Sequence, residues 1–364
     1  MRAQFIGIVV TLGVLLTSAA VVSADETAKT YKVFIYAGQS NAQGKAHIAT
    51  ANLQAEMAET KDLYAARRKD GEFVVRDDVF YRYASQGPTG SYGPLKIGVG
   101  SFRFGGDYEF ASMMGDHFNE PVLISKTAYG GNALRHTFRP PSAGLPSDAQ
   151  LAEELAKAQK NVASRNAKSK AKKPLPTMDD IKGAYGKLYR QILTDYKEVT
   201  EHAGTLFPEL KGMKPELAGI VWFQGWNDQY GGQDEYAANM QHFITDIRRD
   251  LNEPNLPFVI VAMGQNGSKP AAGAMLTIRD AQMSMNEVPE FSGNVKAFRS
   301  DLLVDKIAEQ LVNQKDRAAR ERDKEKTKMY SRDGAYHYYG SPIWYTRIGQ
   351  AAGEEMLGLL KQGK

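Results

Sequence analysis

Two polar residues stand in loops where they could carry out acyl transfer. Ser40 follows an apolar run that ends in Gly38 and Gln39, and His337 lies ahead of the last helix-like segment, with Asp333 four positions upstream. A serine and a histidine that lie together can act as nucleophile and general base, and a carboxylate then orients the imidazole. The chain order Ser40, Asp333, His337 is compatible with such a triad. A serine in a short polar loop is equally typical of an ordinary turn, so both interpretations stand at this point.

Three groups could stabilise the oxyanion that forms when a serine attacks an ester. The backbone N–H of Ser40 is predicted at the start of a helix, where exposed amides and the helix dipole favour negative charge. The pair Gly105-Gly106 would let a backbone N–H approach a substrate oxygen. The side-chain amide of Asn227, after another apolar run, could donate without being titrated. Asn227 and the aspartate after it are also typical of an Asx turn or a helix N-cap, which is the alternative interpretation.

The composition excludes several other chemistries. The 364 residues include no cysteine, which excludes thiol nucleophiles, cysteine-ligated zinc and iron–sulfur clusters. The sequence has no histidine pair with zincin spacing, no glycine-rich dinucleotide motif and no phosphate-binding lysine loop. We therefore expect neither a metal nor a cofactor. The net charge of +4, from 46 basic and 42 acidic residues, is too small to indicate a nucleic-acid partner.

Short apolar runs alternate with helix-like segments and must position these residues. The runs lie at 31–36, 122–124, 217–223, 258–262 and 295–298. Strands that are apolar on both faces are typical of a parallel sheet covered by helices. Helical spacing of apolar residues occurs at 110–118, 181–202, 236–251, 275–288 and 342–360. This alternation predicts an α/β fold with a mainly parallel five-stranded sheet, whose ligand site lies in the loops at the carboxyl ends of the strands.

Two charged segments interrupt this alternation. Residues 147–176 are rich in lysine, and residues 315–328 mix basic with acidic residues. Such segments could bind an acidic polymer, but the scarcity of aromatic residues in the first and the charge balance of the second favour solvated helices or a flexible insertion. We interpret residues 25–364 as one domain that carries 147–176 as an insertion.

Residues 1–24 predict an exported protein. Arg2 precedes the apolar run 5–16, and small residues lead to Ala24 before an acidic pair. This pattern is typical of a signal peptide that is cleaved near Ala24. The run is shorter than the roughly 20 residues of a spanning helix, which disfavours the alternative of an uncleaved membrane anchor. We expect a secreted or periplasmic protein without a stable membrane span, which is stabilised by core packing because no disulfide can form.

Several of these segments resemble motifs of the SGNH hydrolase superfamily. Segment 38–41, Gly-Gln-Ser-Asn, is similar to the block whose serine is the nucleophile. Segment 104–110 resembles a G-P-E-x-x-F block with an oxyanion glycine, although glycine and aspartate replace the proline and the glutamate. Segment 126–134 is similar to the pattern K-x-A-W-G-G-x-S-L, with Tyr129 in place of tryptophan. The resemblance covers about residues 32–359 and is to the sialate O-acetylesterase-like proteins related to carbohydrate esterase family six.

Segment 222–228 is the most specific of these blocks. It carries the G-x-N-D of the wider superfamily where close relatives often have Q-G-E-S-D, which supports Asn227 as an oxyanion donor. Segment 337–341 resembles an H-Y-x-G-S variant and makes His337 the expected base. The spacing of Asp333 to His337 is one residue longer than in the superfamily's D-x-x-H. The site is therefore either a triad that includes Asp333 or a Ser–His dyad.

The resemblance implies a flavodoxin-like three-layer α/β/α sandwich and a carbohydrate O-acetylesterase. Ser40 would be the nucleophile, and its N–H would form the oxyanion hole with the N–H of Gly105 and the amide of Asn227. An acetylated carbohydrate would be the substrate. The alternative, which the longer Asp–His spacing favours, is a non-catalytic carbohydrate-binding protein on an esterase fold. The residues expected to contact the sugar are Gln39, Asn41, Tyr129, Gln224 and Trp226.

Overall fold

The computed structural model describes residues 29–84, 90–265 and 267–362. The predicted signal peptide and its cleavage near Ala24 lie outside the described residues. Within the described ranges, no helix is both long enough and apolar enough to cross a membrane.

A twisted sheet of seven strands forms the centre of the molecule. The strands are β1 (Thr30–Gly38), β2 (Val79–Tyr83), β3 (Ser91–Pro94), β4 (Val122–Ala128), β5 (Lys214–Phe223), β6 (Phe258–Ala262) and β7 (Val295–Arg299). Their order across the sheet is β7-β6-β5-β1-β4-β2-β3. All neighbours are parallel except β2 and β3, which are antiparallel.

The mainly parallel sheet is confirmed, but the predicted number of five strands is wrong. All five apolar runs form strands, and β2 and β3 extend the sheet beyond β4. β2 contains Arg82 among aromatic residues, and β3 is a four-residue edge strand with a glycine and a proline. β2 is an interior strand whose apolar run is interrupted by Arg82. β3 is not a continuous apolar run, because an edge strand is not buried on both faces.

Helices cover both faces of the sheet and complete a three-layer sandwich. Alternating residues of β1 point to opposite faces, so that Phe34 packs in one core and Ile35 in the other. The first core includes Phe110 and Ile348, and the second includes Phe243. The helices are α1 (Ser40–Gln43), α2 (Ile48–Gln54), α3 (Gly106–His117), α4 (Asp148–Lys168), α5 (Met178–Ala184), α6 (Lys187–Glu201), α7 (Ala203–Leu206), α8 (Tyr236–Asp250), α9 (Ala274–Met283), α10 (Lys306–Val312), α11 (Arg317–Arg322), α12 (Lys324–Lys328) and α13 (Pro342–Gln362).

The charged segments form helices on the surface. Residues 148–168 are α4, which begins at a capping box between Ser147 and Gln150. The second segment contains α11 and α12, neither of which has a buried residue. Two short antiparallel ladders complete the described strands, one between Ala46–His47 and Arg103–Phe104 and one between Arg68–Lys69 and Glu72–Phe73.

The strand order reverses at β1, which lies between β4 and β5. Gly38, the last residue of β1, pairs with Ala128 of β4 and with Phe223 of β5. The loops after these three strands therefore leave the sheet at one edge, which is where parallel α/β sheets bind ligands. Gly38 has φ of +150°, and a Cβ there would lie 2.1 Å from the carbonyl oxygen of Phe223. Only glycine lets the chain turn out of the sheet at this point.

Candidate active site

Ser40 lies directly beyond the turn at Gly38 and is partly exposed. It begins α1, which is a single turn of four residues that ends at Gly44 with φ of +86°. The expected helix start is present, but one turn carries only a small dipole. Stabilisation of an anion at Ser40 must therefore come from individual N–H groups and not from a long helix.

The side chain of Gln39 joins the Ser40 turn to the loop after β5. It is buried, with 1% of its surface exposed. Its Oε1 accepts hydrogen bonds from the backbone N–H groups of Gly225 and Asn227, each at 3.3 Å, and from Gln224 Nε2 at 3.2 Å. Its Nε2 donates to Asn227 Oδ1 at 3.1 Å. Three N–H donors fix which end of the Gln39 amide is oxygen, and this in turn fixes the orientation of the Asn227 amide.

Asn227 lies in the 3₁₀ turn Trp226–Gln229 and is partly exposed. Because its Oδ1 accepts from Gln39, its Nδ2 points away from that bond and donates to no other described residue. A side-chain N–H₂ that is oriented by the protein and still free to donate is what an oxyanion requires.

Asp228, the residue after Asn227, anchors the loop after β4. It is fully buried, and its carboxylate accepts from the backbone N–H groups of Leu134 at 2.8 Å and Arg135 at 2.9 Å and from Gln224 Nε2 at 2.6 Å. Burial raises the pKa of Asp228 to about 6, although the hydrogen bonds from Arg135, Gln224 and Leu134 oppose this shift. Sequence reasoning did not single out Asp228, because an aspartate after an asparagine in a loop reads as a turn residue.

His337 lies close to Asp333 despite the lengthened spacing. The Nδ1 of His337 is 3.0 Å from Oδ2 of Asp333. The ring is not aligned for a good N–H bond to that oxygen, so the two side chains are in contact without ideal hydrogen-bond geometry. Burial lowers the pKa of His337 below its usual value, Asp333 raises it, and Lys45 and Arg103 lower it again. The net effect keeps the imidazole neutral near pH 7, as a general base must be.

A strained loop holds His337 in place. Tyr338, Tyr339 and Gly340 follow it with φ of 52°, 57° and 59°. Bulky residues rarely adopt the left-handed region, and they keep it only when surrounding contacts impose it. The buried Tyr338 hydroxyl accepts from the Gly264 N–H at 3.0 Å and lies 2.9 Å from Ser300 Oγ. These contacts supply that constraint.

Asn41 brings the His337 loop against the Ser40 turn. Its Nδ2 donates to the Tyr336 carbonyl at 3.1 Å, and its Oδ1 accepts from the Tyr345 hydroxyl at 2.7 Å. The same hydroxyl is 3.4 Å from the His337 carbonyl oxygen. The residues next to the predicted nucleophile and the predicted base are thus held by one small hydrogen-bond network.

Gly105 approaches the Ser40 turn from the start of α3. It is buried and precedes the first residue of that helix. A Cβ on Gly44 would lie 2.3 Å from the Gly105 nitrogen, which shows how closely the two backbones pass. The next residue, Gly106, packs against α13, where a Cβ on Gly349 would lie 2.3 Å from the Gly106 carbonyl oxygen. This close helix contact explains why glycine is suited to position 106.

The five residues that were expected to contact a sugar fall into two groups. Gln39, Asn41 and Gln224 are buried, and their side chains bond to other parts of the protein, so they orient the site. Tyr129 and Trp226 are partly exposed. The Trp226 ring lies 6.2 Å from that of Tyr336, which is 48% exposed, and these rings offer an apolar surface beside Asn227 and His337.

The structure brings together the loops of Ser40, Gly105, Asn227, Asp333 and His337. Four buried residues in this arrangement were given no role from the sequence, namely Asp107, Lys126, Asp228 and Tyr345. Among the described residues, no group of three or more histidine, aspartate or glutamate side chains could hold a metal ion.

Comparison with known proteins identifies the family. The family model described as carbohydrate esterase, sialic acid-specific acetylesterase, matches residues 30–308, which include Ser40, Gly105 and Asn227 and end before Asp333. A probable carbohydrate esterase of Arabidopsis thaliana is 33% identical over 72 residues, which are 19% of this chain and 26% of that protein. The match thus spans about a quarter of the length of that curated relative.

Three solved structures are also similar. The structure of the same Arabidopsis thaliana protein has a TM-score of 0.41 at 15% identity, covering 74% of this chain and 85% of that one. A carbohydrate acetylesterase from Xanthomonas citri has a TM-score of 0.46 at 16% identity, and the match covers 91% of this chain and 57% of that one. The structure of NanS has a TM-score of 0.40 at 14% identity, and the match covers 75% of this chain and 78% of that one. The family match, which extends over most of the chain, shows that this protein belongs to the carbohydrate esterase family of sialic acid-specific acetylesterases.

Proposed function

We propose that the chain is an exported serine esterase that removes acetyl groups from the hydroxyls of sugars. The observation that carries this proposal is the Gln39 amide beside Ser40, which leaves the Asn227 Nδ2 free to donate next to a serine. The Asp333–His337 contact on the adjoining loop supports a base for that serine. The membership of the chain in an acetylesterase family supports the acetyl ester as the bond that is broken.

In the proposed first half-reaction, Ser40 Oγ attacks the acetyl carbonyl carbon and His337 takes its proton. The resulting oxyanion accepts from the N–H groups of Ser40 and Gly105 and from Asn227 Nδ2. Collapse of the tetrahedral intermediate breaks the bond to the sugar oxygen, which receives the proton from His337. The sugar leaves with a free hydroxyl, and the acetyl group stays on Ser40.

In the second half-reaction, water attacks the acetyl-serine. His337 takes a proton from the water, the same three donors stabilise the second oxyanion, and Ser40 leaves with the proton from His337. The products are acetate and the free enzyme. Asp333 stabilises the imidazolium that exists in both intermediates, which makes a triad the favoured arrangement over a dyad.

The surroundings of Ser40 support a sugar ring as the group that carries the ester. Tyr129, Trp226 and Tyr336 offer partly exposed aromatic rings, on which the apolar face of a sugar can stack. The signal-peptide pattern in residues 1–24 supports action outside the cytoplasm, where acetylated glycans are accessible.

Turnover of p-nitrophenyl acetate tests the proposed nucleophile. We expect Ser40→Ala to lower kcat at least about a thousandfold, because the other groups cannot supply a nucleophile. Ser142→Ala is the matched control, because exposed Ser142 also contacts a histidine, with Oγ 2.9 Å from His242 Nδ1, but belongs to the 3₁₀ turn Pro141–Ala143 and not to the loops of Asn227 and Gly105. Ser142→Ala should keep the wild-type kcat.

A fluorophosphonate probe separates the esterase from a binding protein. Covalent labelling of Ser40, absent in Ser40→Ala and retained in Ser142→Ala, is expected of the esterase. An unlabelled wild-type protein that still binds acetylated glycans would support the binding protein and overturn the proposal. Acetate release from a panel of acetylated sialosides and polysaccharides then identifies the substrate.

A further inference from the structure

A buried ion pair lies behind the predicted oxyanion hole. The Lys126 ammonium is 2.9 Å from the Asp107 carboxylate, and the side chains are 3% and 6% exposed. The Tyr81 hydroxyl donates to the same carboxylate oxygen, and the ammonium lies 4.6 Å from the centre of the Tyr83 ring. A buried pair of charges is costly to desolvate and is often no more stable than apolar residues of the same volume. Its presence calls for a reason beyond stability.

This pair connects three segments that meet at the site. Lys126 belongs to β4, whose following loop is anchored by Asp228. The Lys126 ammonium also donates to the carbonyl oxygen of Gln43 at 2.9 Å, and Gln43 is the last residue of the Ser40 turn. Asp107 is in the first turn of α3, two residues after Gly105. One ammonium thus holds the Ser40 turn and the Gly105 turn at the same time.

The packing around Gly105 leaves little freedom for these segments to shift separately. A Cβ on Gly105 would lie 2.8 Å from Asp107 Oδ1 and 2.9 Å from the Gly44 Cα. Asp107 and Gly44 therefore pack directly against Gly105, and the position of the Gly105 backbone depends on both. A small displacement matters here, because an oxyanion donor must lie at hydrogen-bond distance from the reacting oxygen.

We propose that Lys126 and Asp107 are positioning residues. They hold the Gly105 N–H and the Ser40 N–H at the relative positions from which both donate to one oxyanion. This inference rests on the proposed esterase function. The pair contacts no substrate, and its action on the reaction is through the two backbone donors. Loss of the pair therefore weakens binding of the transition state and leaves binding of the ester ground state unchanged.

The test compares kcat, KM and boronic-acid inhibition in matched variants. Lys126→Met and Asp107→Asn should each lower kcat for p-nitrophenyl acetate about tenfold or more, with KM within about threefold of wild type. The inhibition constant of phenylboronic acid, which forms a tetrahedral adduct with an active serine, should rise by a similar factor. A purely structural role would not link these two quantities.

Glu109→Gln is the matched control. Glu109 is also in the first turn of α3 and forms a largely buried pair with Arg67, whose Nη2 is 2.9 Å from Glu109 Oε1. This variant should lower the melting temperature and keep the wild-type kcat and boronate affinity. The double variant Asp107→Leu with Lys126→Met leaves no unpaired buried charge. It is therefore the variant to measure if a single substitution prevents folding. It should still show the loss of kcat.

The outcomes separate this inference from the proposed function. If a folded variant of the pair keeps the wild-type kcat and boronate affinity, the positioning role is wrong while Ser40-dependent turnover stands. The same holds if Glu109→Gln loses as much kcat as the pair variants. If wild-type turnover does not depend on Ser40, the proposed function is wrong and the positioning role falls with it.

Discussion

The substitution Gln39→Glu should inactivate the protein although it changes one NH₂ group to an oxygen. In the wild type, Gln39 Oε1 accepts three N–H bonds, and Nε2 donates to Asn227 Oδ1. In the variant, one carboxylate oxygen keeps the three donors, which favour the ionised form. The other oxygen faces Asn227 Oδ1 and repels it. The Asn227 amide must then rotate by half a turn and donate its Nδ2 to the carboxylate.

The cost follows from what the rotated amide presents to the substrate. A donor is lost from the oxyanion hole, and loss of one such donor raises the barrier by about 3 kcal/mol, or about a hundredfold to a thousandfold in kcat. The Asn227 oxygen also faces the developing negative charge in place of the donor. We therefore expect kcat of Gln39→Glu to be at least as low as that of Asn227→Ala, and KM to change little, because the ester carbonyl is uncharged in the ground state.

Steady-state kinetics on p-nitrophenyl acetate provide the assay, with folded protein quantified by circular dichroism. Gln54→Glu is the control, because Gln54 is equally buried and donates its Nε2 to a carbonyl, that of Met329, away from the Ser40 turn. It should lose stability and keep kcat per folded molecule. A folded Gln39→Glu with wild-type kcat would refute the assignment of Asn227 Nδ2 as an oxyanion donor.

Three further predictions concern ionisation. Asp333→Asn should lower kcat at least about a hundredfold. It should also move the acidic limb of the profile of kcat/KM against pH to lower pH, because Asp333 raises the pKa of His337. An unchanged profile would place Asp333 outside the site. Lys45→Met should move the same limb to higher pH, because Lys45 lowers the pKa of His337 and activity requires the neutral imidazole. A shift of the limb to lower pH would contradict the effect of Lys45 on His337. Burial raises the pKa of Asp228 from 3.8 to about 6, so that the folded state binds more protons than the unfolded state between these values and stability falls as pH rises through them. Between pH 4 and pH 7, the free energy of unfolding of Asp228→Asn, measured with denaturant, should rise by up to about 3 kcal/mol relative to that of the wild type. A difference between the two proteins that does not change with pH would show that folding does not raise the pKa of Asp228.

The strands with a continuous apolar pattern could be predicted, and the others could not. β1, β4, β5 and β6 are interior strands with mostly buried residues, and such burial leaves an apolar run in the sequence. β7 is an edge strand whose weaker run is interrupted by the exposed Lys296. β2 is interrupted by Arg82, and β3 pairs on one side only. Their burial is set by neighbours that are distant in the chain, so local periodicity does not reveal them.

The candidate residues with chemical character could be predicted, but the buried residues that position them could not. Ser40, Asn227 and His337 stand out because each has a reactive or donating group beside a strand end or in a loop. Asp228, Lys126 and other buried charged residues do not stand out, because a sequence shows charge without showing burial. Asp228 is fully buried in the structure, whereas charged residues are normally exposed.

The amino-acid sequence by itself determined the α/β class and the sheet edge at which chemistry could occur. These follow from the periodicity of apolar residues and from the side on which parallel strands end. The tertiary structure decided which groups face one another. Gln39 meets Asn227 across 188 residues of chain, and Asn41 meets the His337 loop across 295. Contacts at such separation depend on how the whole sandwich packs, and so the orientation of the Asn227 amide and the proximity of Asp333 to His337 could be established only from the folded chain.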